Sequence, residues 1–242
     1  MAAVTREVPM QTAMRIPELS QRDRFIRCVV ANKGVWAVAG EDGLVRVASP
    51  SDPTRQVTLF WTSEAEARRW ADVLTAHPRV KMIPSNEFIG EVLPKLSELG
   101  RLVGVDWSAE PIEVEIEAMD LASRLRQEGV ESFLQRARLS RSVWMLEDAD
   151  GPAVLVSQDR SGQLVLPCWA SAPEAEARIE GPWSEMLAIE IPLANFVAVT
   201  LPWLADQGWK VAPGHNLGAD TIEINPAELS RRIEPEALAQ SA

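Results

Sequence analysis

The chain repeats itself at a spacing of 108 residues, the distance from Trp61 to Trp169, and few sequence features narrow a fold as much. The stretch Val57–Trp70, VTLFWTSEAEARRW, returns as Val165–Arg178, VLPCWASAPEAEAR. The same offset carries Phe25 to Phe133, Val35-Trp36 to Val143-Trp144 and Asp42-Gly43 to Asp150-Gly151. It also carries Ile83-Pro84 to Ile191-Pro192, Phe88 to Phe196, Leu93-Pro94 to Leu201-Pro202 and Gly100 to Gly208. No gap is needed from Phe25 to Leu125, and about 23 of roughly 101 aligned positions are identical. A period this long is a duplicated domain rather than a solenoid repeat. A chain of 242 residues is long enough for two such domains. The division expected is a tail over residues 1–19, a first copy over 20–127 and a second over 128–242.

Within a copy, the pattern alternates between helical and strand periods. Ser20 is placed to cap a helix starting at Gln21, whose apolar stripe is Phe25, Ile26, Val29 and Val30. Gly34 stands where that helix would stop. Val35–Ala39, Leu44–Ala48 and Val57–Trp61 read as three strands, the first two joined by an Asp42-Gly43 turn. Ser63 and Glu66, repeated as Ser171 and Glu174, have capping-box spacing before a helix over 64–76. Arg79–Ile83 reads as a strand and Asn86–Leu99 as a helix, in which Pro94 predicts a kink or a break. Strands over Leu102–Trp107 and Ile112–Ile116 and a short helix complete the copy. In the second copy that helix opens on Asn225-Pro226, a cap followed by proline at the first helical position. The fold class expected is α+β: two tandem homologous domains, each a mainly antiparallel sheet packed with helices. Gln127-Glu128-Gly129 reads as a short linker, and the copies as a monomer built like a fused dimer.

Charge excludes some functions. The net charge is −11. Residues 128–242 hold 8 basic and 17 acidic side chains against 14 and 16 in residues 20–127, so the second copy carries most of the excess. Nucleic-acid binding, which depends on neutralising phosphates, is not expected; a basic protein partner is compatible, as is acidity that serves solubility alone. No apolar run is long enough for a membrane span, and the N-terminus does not read as a signal peptide. Cys28 and Cys168 fall at non-equivalent positions, which argues for reduced thiols in a cytoplasmic protein.

The string Val35-Trp36, Asp42-Gly43, Trp61 before a Glu/Ala-rich helix, Ile83-Pro84, Phe88, Leu93-Pro94-x-Leu96 and Gly100-x2-Val103-Gly104-Val105-Asp106-Trp107 resembles the bacterial domain-of-unknown-function family 2750. The resemblance covers Phe25–Leu125 and extends more weakly to the second copy, where Pro213-Gly214-His215-Asn216 replaces Val105-Asp106-Trp107-Ser108. Leu164–Trp169 and Thr221–Leu229 are also similar to the N-terminal domain of the enhanced-serine-sensitivity family. What the first resemblance implies is a small bacterial α+β domain with no assigned chemistry.

Candidate sites are few. Trp36, Trp61, Trp144 and Trp169 recur at the repeat offset and read as core. Trp70, Trp107, Trp183, Trp203 and Trp209 have no such counterpart and are better placed for an interface. The two histidines, His77 and His215, have no Cys, His or carboxylate at ligand spacing, so neither a metal site nor a cofactor is expected. No nucleophile stands beside them, so no catalytic residue is assigned. Asp106, Trp107, His215 and Asn216 are the binding candidates, because the two copies diverge chemically at these equivalent strand ends; for Asp106 the alternative is a turn residue. Two readings follow. One is a non-catalytic interaction protein, in its sharper form an immunity-type protein against a basic toxin. The other is an enzyme or small-ligand binder with its site between the repeats. A third possibility is that copy two only stabilises copy one.

Overall fold

The structure, a computed structural model, describes residues 10–108, 114–157, 162–215 and 222–234. By internal contacts the chain divides into unit 1, Met1–Leu125, and unit 2, Arg126–Ala242. Each is α+β.

Unit 1 begins with helix α1 (Met10–Asn32). The helix is therefore already under way in the segment read as a tail, with Pro17 inside it rather than ahead of it. Lys33, at φ +56°, turns the chain into β1 (Gly34–Gly40). β2 (Gly43–Leu44), β3 (Arg46–Ala48) and β4 (Gln56–Trp61) follow. The expected strand over 44–48 breaks at Val45, so that β2 pairs with β1 while β3 pairs with β4. Helix α2 (Glu64–Leu74), edge strand β5 (Arg79–Pro84), a helical segment, β6 (Leu102–Val105) and β7 (Glu115–Glu117) complete the unit. The backbone of the sheet is β5-β1-β4-β6-β7. All pairings are antiparallel except β4 with β6, which is parallel.

Period-2 alternation explains the layering. Val35, Ala37, Phe60, Ile83, Val103, Val105 and Ile116 point to one face, where they pack with Phe25, Phe88, Leu93 and Leu121 from the helices. Trp36, Val38, Leu59, Trp61 and Trp107 point to the other, against Ala67 and Ala71 of α2. Both faces of the sheet are thus covered.

Two local expectations change form. Ser63 and Ser171 are the N-caps of their helices, in extended backbone, but neither side chain makes the capping bond. Glu66 pairs instead with Arg69 (3.1 Å) and Glu174 with Arg136 (2.5 Å). An arginine competes for the carboxylate and the reciprocal box does not form. The expected kink at Pro94 is a π turn. Helix α3 (Ser85–Glu87) passes through a π-helical stretch (Phe88–Val92) into α4 (Leu93–Glu98). The wider turn makes room for a proline ring that would otherwise strike the preceding turn.

Unit 2 repeats this register at the same offset. β8 (Ser142–Asp148), β9 (Gly151–Pro152), β10 (Leu155–Val156), β11 (Leu164–Cys168), β12 (Leu187–Pro192) and β13 (Lys210–Pro213) keep the register of their counterparts, but in two three-stranded sheets, β12-β8-β9 and β10-β11-β13, where unit 1 has one sheet. The bridge Trp36–Trp61 returns as Trp144–Trp169, and Val103–Ile116 as Val211–Ile224. The π turn returns at Phe196–Thr200, between α7 (Leu193–Asn195) and α8 (Leu201–Asp206). Asn225 caps α9 (Pro226–Ile233) by accepting from the Ala227 amide at 3.0 Å. The counterpart of α2 is cut to α6 (Ala172–Glu176), and a 3-10 turn follows at Gly181–Trp183, where glycine and proline interrupt the pattern.

The residues read as a linker, Gln127-Glu128-Gly129, lie inside one helix, α5 (Ala118–Ser140), and the division between the units falls within it. Helix formers flank Gly129, whose cost of about 1 kcal/mol is too small to stop a helix of that length.

Candidate functional site

The parallel pair places the C-terminal ends of β4 and β6 side by side, and the candidates Asp106 and Trp107 follow β6 directly. Asp106 adopts φ +47°, in the left-handed region. Its amide donates to the Phe60 carbonyl at 2.9 Å. Its carboxylate accepts from the Thr62 amide at 2.7 Å and from the Thr62 hydroxyl at 3.0 Å. Gln21 Nε2 donates to the carbonyls of Val105 (2.9 Å) and Asp106 (3.0 Å). Burial lifts the Asp106 carboxyl above its ordinary range, while the Thr62 bonds and the charge of Arg24 oppose the rise. Trp107 is a core residue, 6% exposed. Its indole N–H donates to the Val114 carbonyl at 3.0 Å, and its own carbonyl accepts from Trp61 Nε1 at 3.0 Å.

The same place in unit 2 has different side chains and the same backbone. Gly214 takes φ +67° and donates to the Cys168 carbonyl at 2.7 Å. Trp169 Nε1 donates to the His215 carbonyl at 2.9 Å. Ala170 stands where Thr62 does, and Gly129 where Gln21 does, so the polar clasp around Asp106 belongs to unit 1. His215 is buried, with its ring 6.2 Å from that of Trp183 and edge-on to it. Burial first, and the charge of Arg178 second, lower its pKa to about 4. Asn216, the fourth candidate, lies outside the described residues. Asp and Gly are among the residues that tolerate positive φ, which accounts for one pair of alternatives; Trp and His fill the core position beside it.

A second polar element recurs in both units. Ser49 donates to Glu115 at 2.8 Å, and Ser157 to Glu223 at 2.5 Å. These bonds tie the loop after β3 to the last strand, β7, in unit 1, and the loop after β10 to the segment that bridges β13 through Ile224 in unit 2. Sequence reasoning missed them, although Ser49/Ser157 and Glu115/Glu223 are identical across the offset.

A cleft of about 620 Å³ opens at the end of β1 in unit 1, lined by Gly40, Glu41, Ala76, His77, Pro78 and Arg79. His77 Nε2 lies 3.8 Å from a Glu41 oxygen, with both side chains exposed, and Arg79 donates to the Gly40 carbonyl at 3.1 Å. Its lining holds no hydroxyl or thiol that could serve as a nucleophile. Among the described residues, no group of three or more His, Cys, Asp or Glu could hold a metal ion, and no helix is long and apolar enough to cross a membrane.

The clearest asymmetry lies on the surface. Trp61 and Trp169 are buried, and Trp36 and Trp144 half-buried, in the second-face cores. Of the five unmatched tryptophans, Trp107 and Trp183 are buried, Trp70 and Trp209 partly so, and Trp203 is 47% exposed. Trp203 packs edge-on to Trp209, with ring centres 5.4 Å apart. One helical turn earlier, Val199 is 65% exposed. At the offset positions unit 1 carries Lys95, Arg101 and Glu91. The same exchange occurs on β12, whose exposed Leu187 and Ile189 stand where β5 has Arg79 and Lys81.

No curated protein matches the chain. Among solved structures it is similar to Anabaena Tic22 (protein transport), at 13% identity over 79% of this chain and 91% of that one, with a TM-score of 0.25. It is also similar to Tic22 from Plasmodium falciparum, at 8% identity over 88% and 98%, with a TM-score of 0.24. The family described as protein of unknown function (DUF2750) matches twice, at residues 22–125 and 130–233. Those two matches coincide with the copies that share one strand register, and the chain belongs to the DUF2750 family as a tandem pair of its domains.

Proposed function

We propose that the chain is a non-catalytic protein-binding module whose second unit carries the recognition surface. The observation that supports this is exposed Trp203, packed on half-buried Trp209, with exposed Val199 one turn away, at positions where the homologous unit carries charges. Large apolar side chains in water gain roughly 25 cal/mol for each Å² that a partner covers, and tryptophan is enriched among residues that dominate binding energy. The partner is basic. The 17 acidic and 8 basic side chains of residues 128–242 would steer such a protein and form the rim of the contact. In its sharper form this is an immunity-type protein that covers the basic surface of a toxin. Both cysteines are free and burial raises the Cys168 thiol pKa, so it is a poor nucleophile; this suits a reducing, cytoplasmic setting.

The test is capture of partners from the source organism's lysate by the wild-type chain and by Val199→Glu/Trp203→Lys, which installs the residues of unit 1. A stoichiometric basic protein held by the wild type, released at high salt and absent from the variant, is the expected result. A protein held equally by both chains, or insensitive to salt, would refute the assignment.

A further inference from the structure

We infer that β12 is an acceptor edge for an extended, lysine- or arginine-bearing segment of another protein, which it would bind as an added strand. The inference rests on the protein-binding reading of unit 2 but uses a different surface. Among the described residues β12 pairs only with β8, so one side of it has no strand neighbour.

The register shows which groups face that side. Leu193 donates its amide to Arg141, so position 193 exchanges bonds with the β8 chain, and by alternation so do 191, 189 and 187. The amides and carbonyls of Ala188 and Glu190 therefore point away from β8. They would give an incoming strand two donors and two acceptors, and Pro192, which has no N–H, ends the template.

Edge strands are ordinarily protected against such pairing, often by lysine and other charges. β5 follows that rule with Arg79 and Lys81. β12 breaks it at the same two positions with Leu187, 66% exposed, and Ile189, 36% exposed. The charge is inverted as well. Glu147, Asp148 and Glu190 lie on β8 and β12, Asp150 and Glu185 in the connections beside them, and no Lys or Arg occurs in residues 142–152 or 179–192. Apolar side chains at alternate positions, a free backbone edge and a surround of carboxylates together match a strand that alternates apolar and cationic residues. A second copy of β12 would bring the same carboxylates against one another.

The probe is a blocked synthetic peptide of about seven residues alternating valine and lysine, titrated into the full chain while the backbone amides are followed by NMR. The expected result is saturable binding, with the Ala188 and Glu190 amides newly protected from exchange. Leu187→Arg/Ile189→Lys, whose side chains β5 already carries, should weaken it at least about tenfold, as should raising salt from about 50 to about 300 mM. No binding, equal binding by the double variant, equal binding of a valine–glutamate peptide, or protection centred on Trp203 would each overturn the inference. So would dimerisation of the free chain that the double variant abolishes, because the occupant would then be a second copy. Val199→Glu/Trp203→Lys should leave peptide binding unchanged. Loss of the protein partner in that variant with retained peptide protection separates the two surfaces, and failure of either claim leaves a distinct signature.

Discussion

Replacing Asp106 tests whether the backbone at the end of β6, rather than a charged site, is what the two units share. Asp106→Ala removes the acceptor of the Thr62 amide and hydroxyl, at 2.7 and 3.0 Å. A part-buried N–H left without a partner costs about 1–2 kcal/mol, and alanine at φ +47° adds about 1 kcal/mol. The expected loss is about 2–3 kcal/mol. Asp106→Gly loses the same acceptor but relieves the left-handed strain, as Gly214 does in unit 2, and should cost only about 1 kcal/mol. Asp106→Asn keeps an acceptor for the Thr62 amide. The pH dependence follows from the direction of the shift. Burial raises the Asp106 pKa above its unfolded value, so the folded state holds the proton more tightly. Its contribution is most favourable below the unfolded carboxylate range and is lost as pH rises through the raised folded value. Asn carries no such dependence, so Asp106→Asn should match or exceed the wild type at neutral pH, with the gap closing in acid. Native-state hydrogen exchange of the β4 and β6 amides reads unit 1 within the full chain. Equal losses for Ala and Gly, or an Asn variant as unstable as Ala, would show that neither the left-handed backbone nor the Thr62 acceptor sets the stability of this turn.

Three further outcomes are expected. His215 has a pKa lowered to about 4, against about 6.5 when unfolded, so the unfolded state takes up the proton first; unit 2 should lose protection as pH falls from about 6.5 towards 4, and His215→Gln should flatten that dependence in an exchange profile. Ser157→Ala removes the bond to Glu223 and should cost about 1–3 kcal/mol, read as faster exchange in β13 with unit 1 unchanged. Gly104→Ala would place a Cβ 2.6 Å from Leu59 and 2.7 Å from the Trp107 indole, and overpacking of about 1–3 kcal/mol should show as loss of unit 1 protection.

The repeat made most of the fold legible. A gap-free offset in sequence became an offset in strand pairing, because register is set by which residues face a covered layer, and those are the positions that recur. Local polar chemistry was less legible. Ser63 and Glu66 have the spacing of a capping box, yet Arg69 takes the carboxylate, a competition that spacing alone does not reveal. The junction was legible but its form was not: the division between the units falls beside Gln127-Glu128-Gly129, yet the stretch is helical, because the helix formers around Gly129 outweigh its single cost. The candidate pairs Asp106-Trp107 and Gly214-His215 stood out because they differ. The structure shows their shared part to be a left-handed turn and a carbonyl that receives a tryptophan N–H. The surface asymmetry needed exposure as well as sequence: Trp203 and Trp183 are both unmatched tryptophans, and only burial tells the interface candidate from the core residue.

The most direct test of the central claim is a binding titration of the captured basic partner against the wild type and Val199→Glu/Trp203→Lys, each at low and high salt. The variant should lose at least about 2 kcal/mol, roughly thirtyfold in affinity, and both chains should bind more weakly at high salt. Equal affinities for the two chains would contradict the claim, and would place recognition away from the aromatic surface of unit 2.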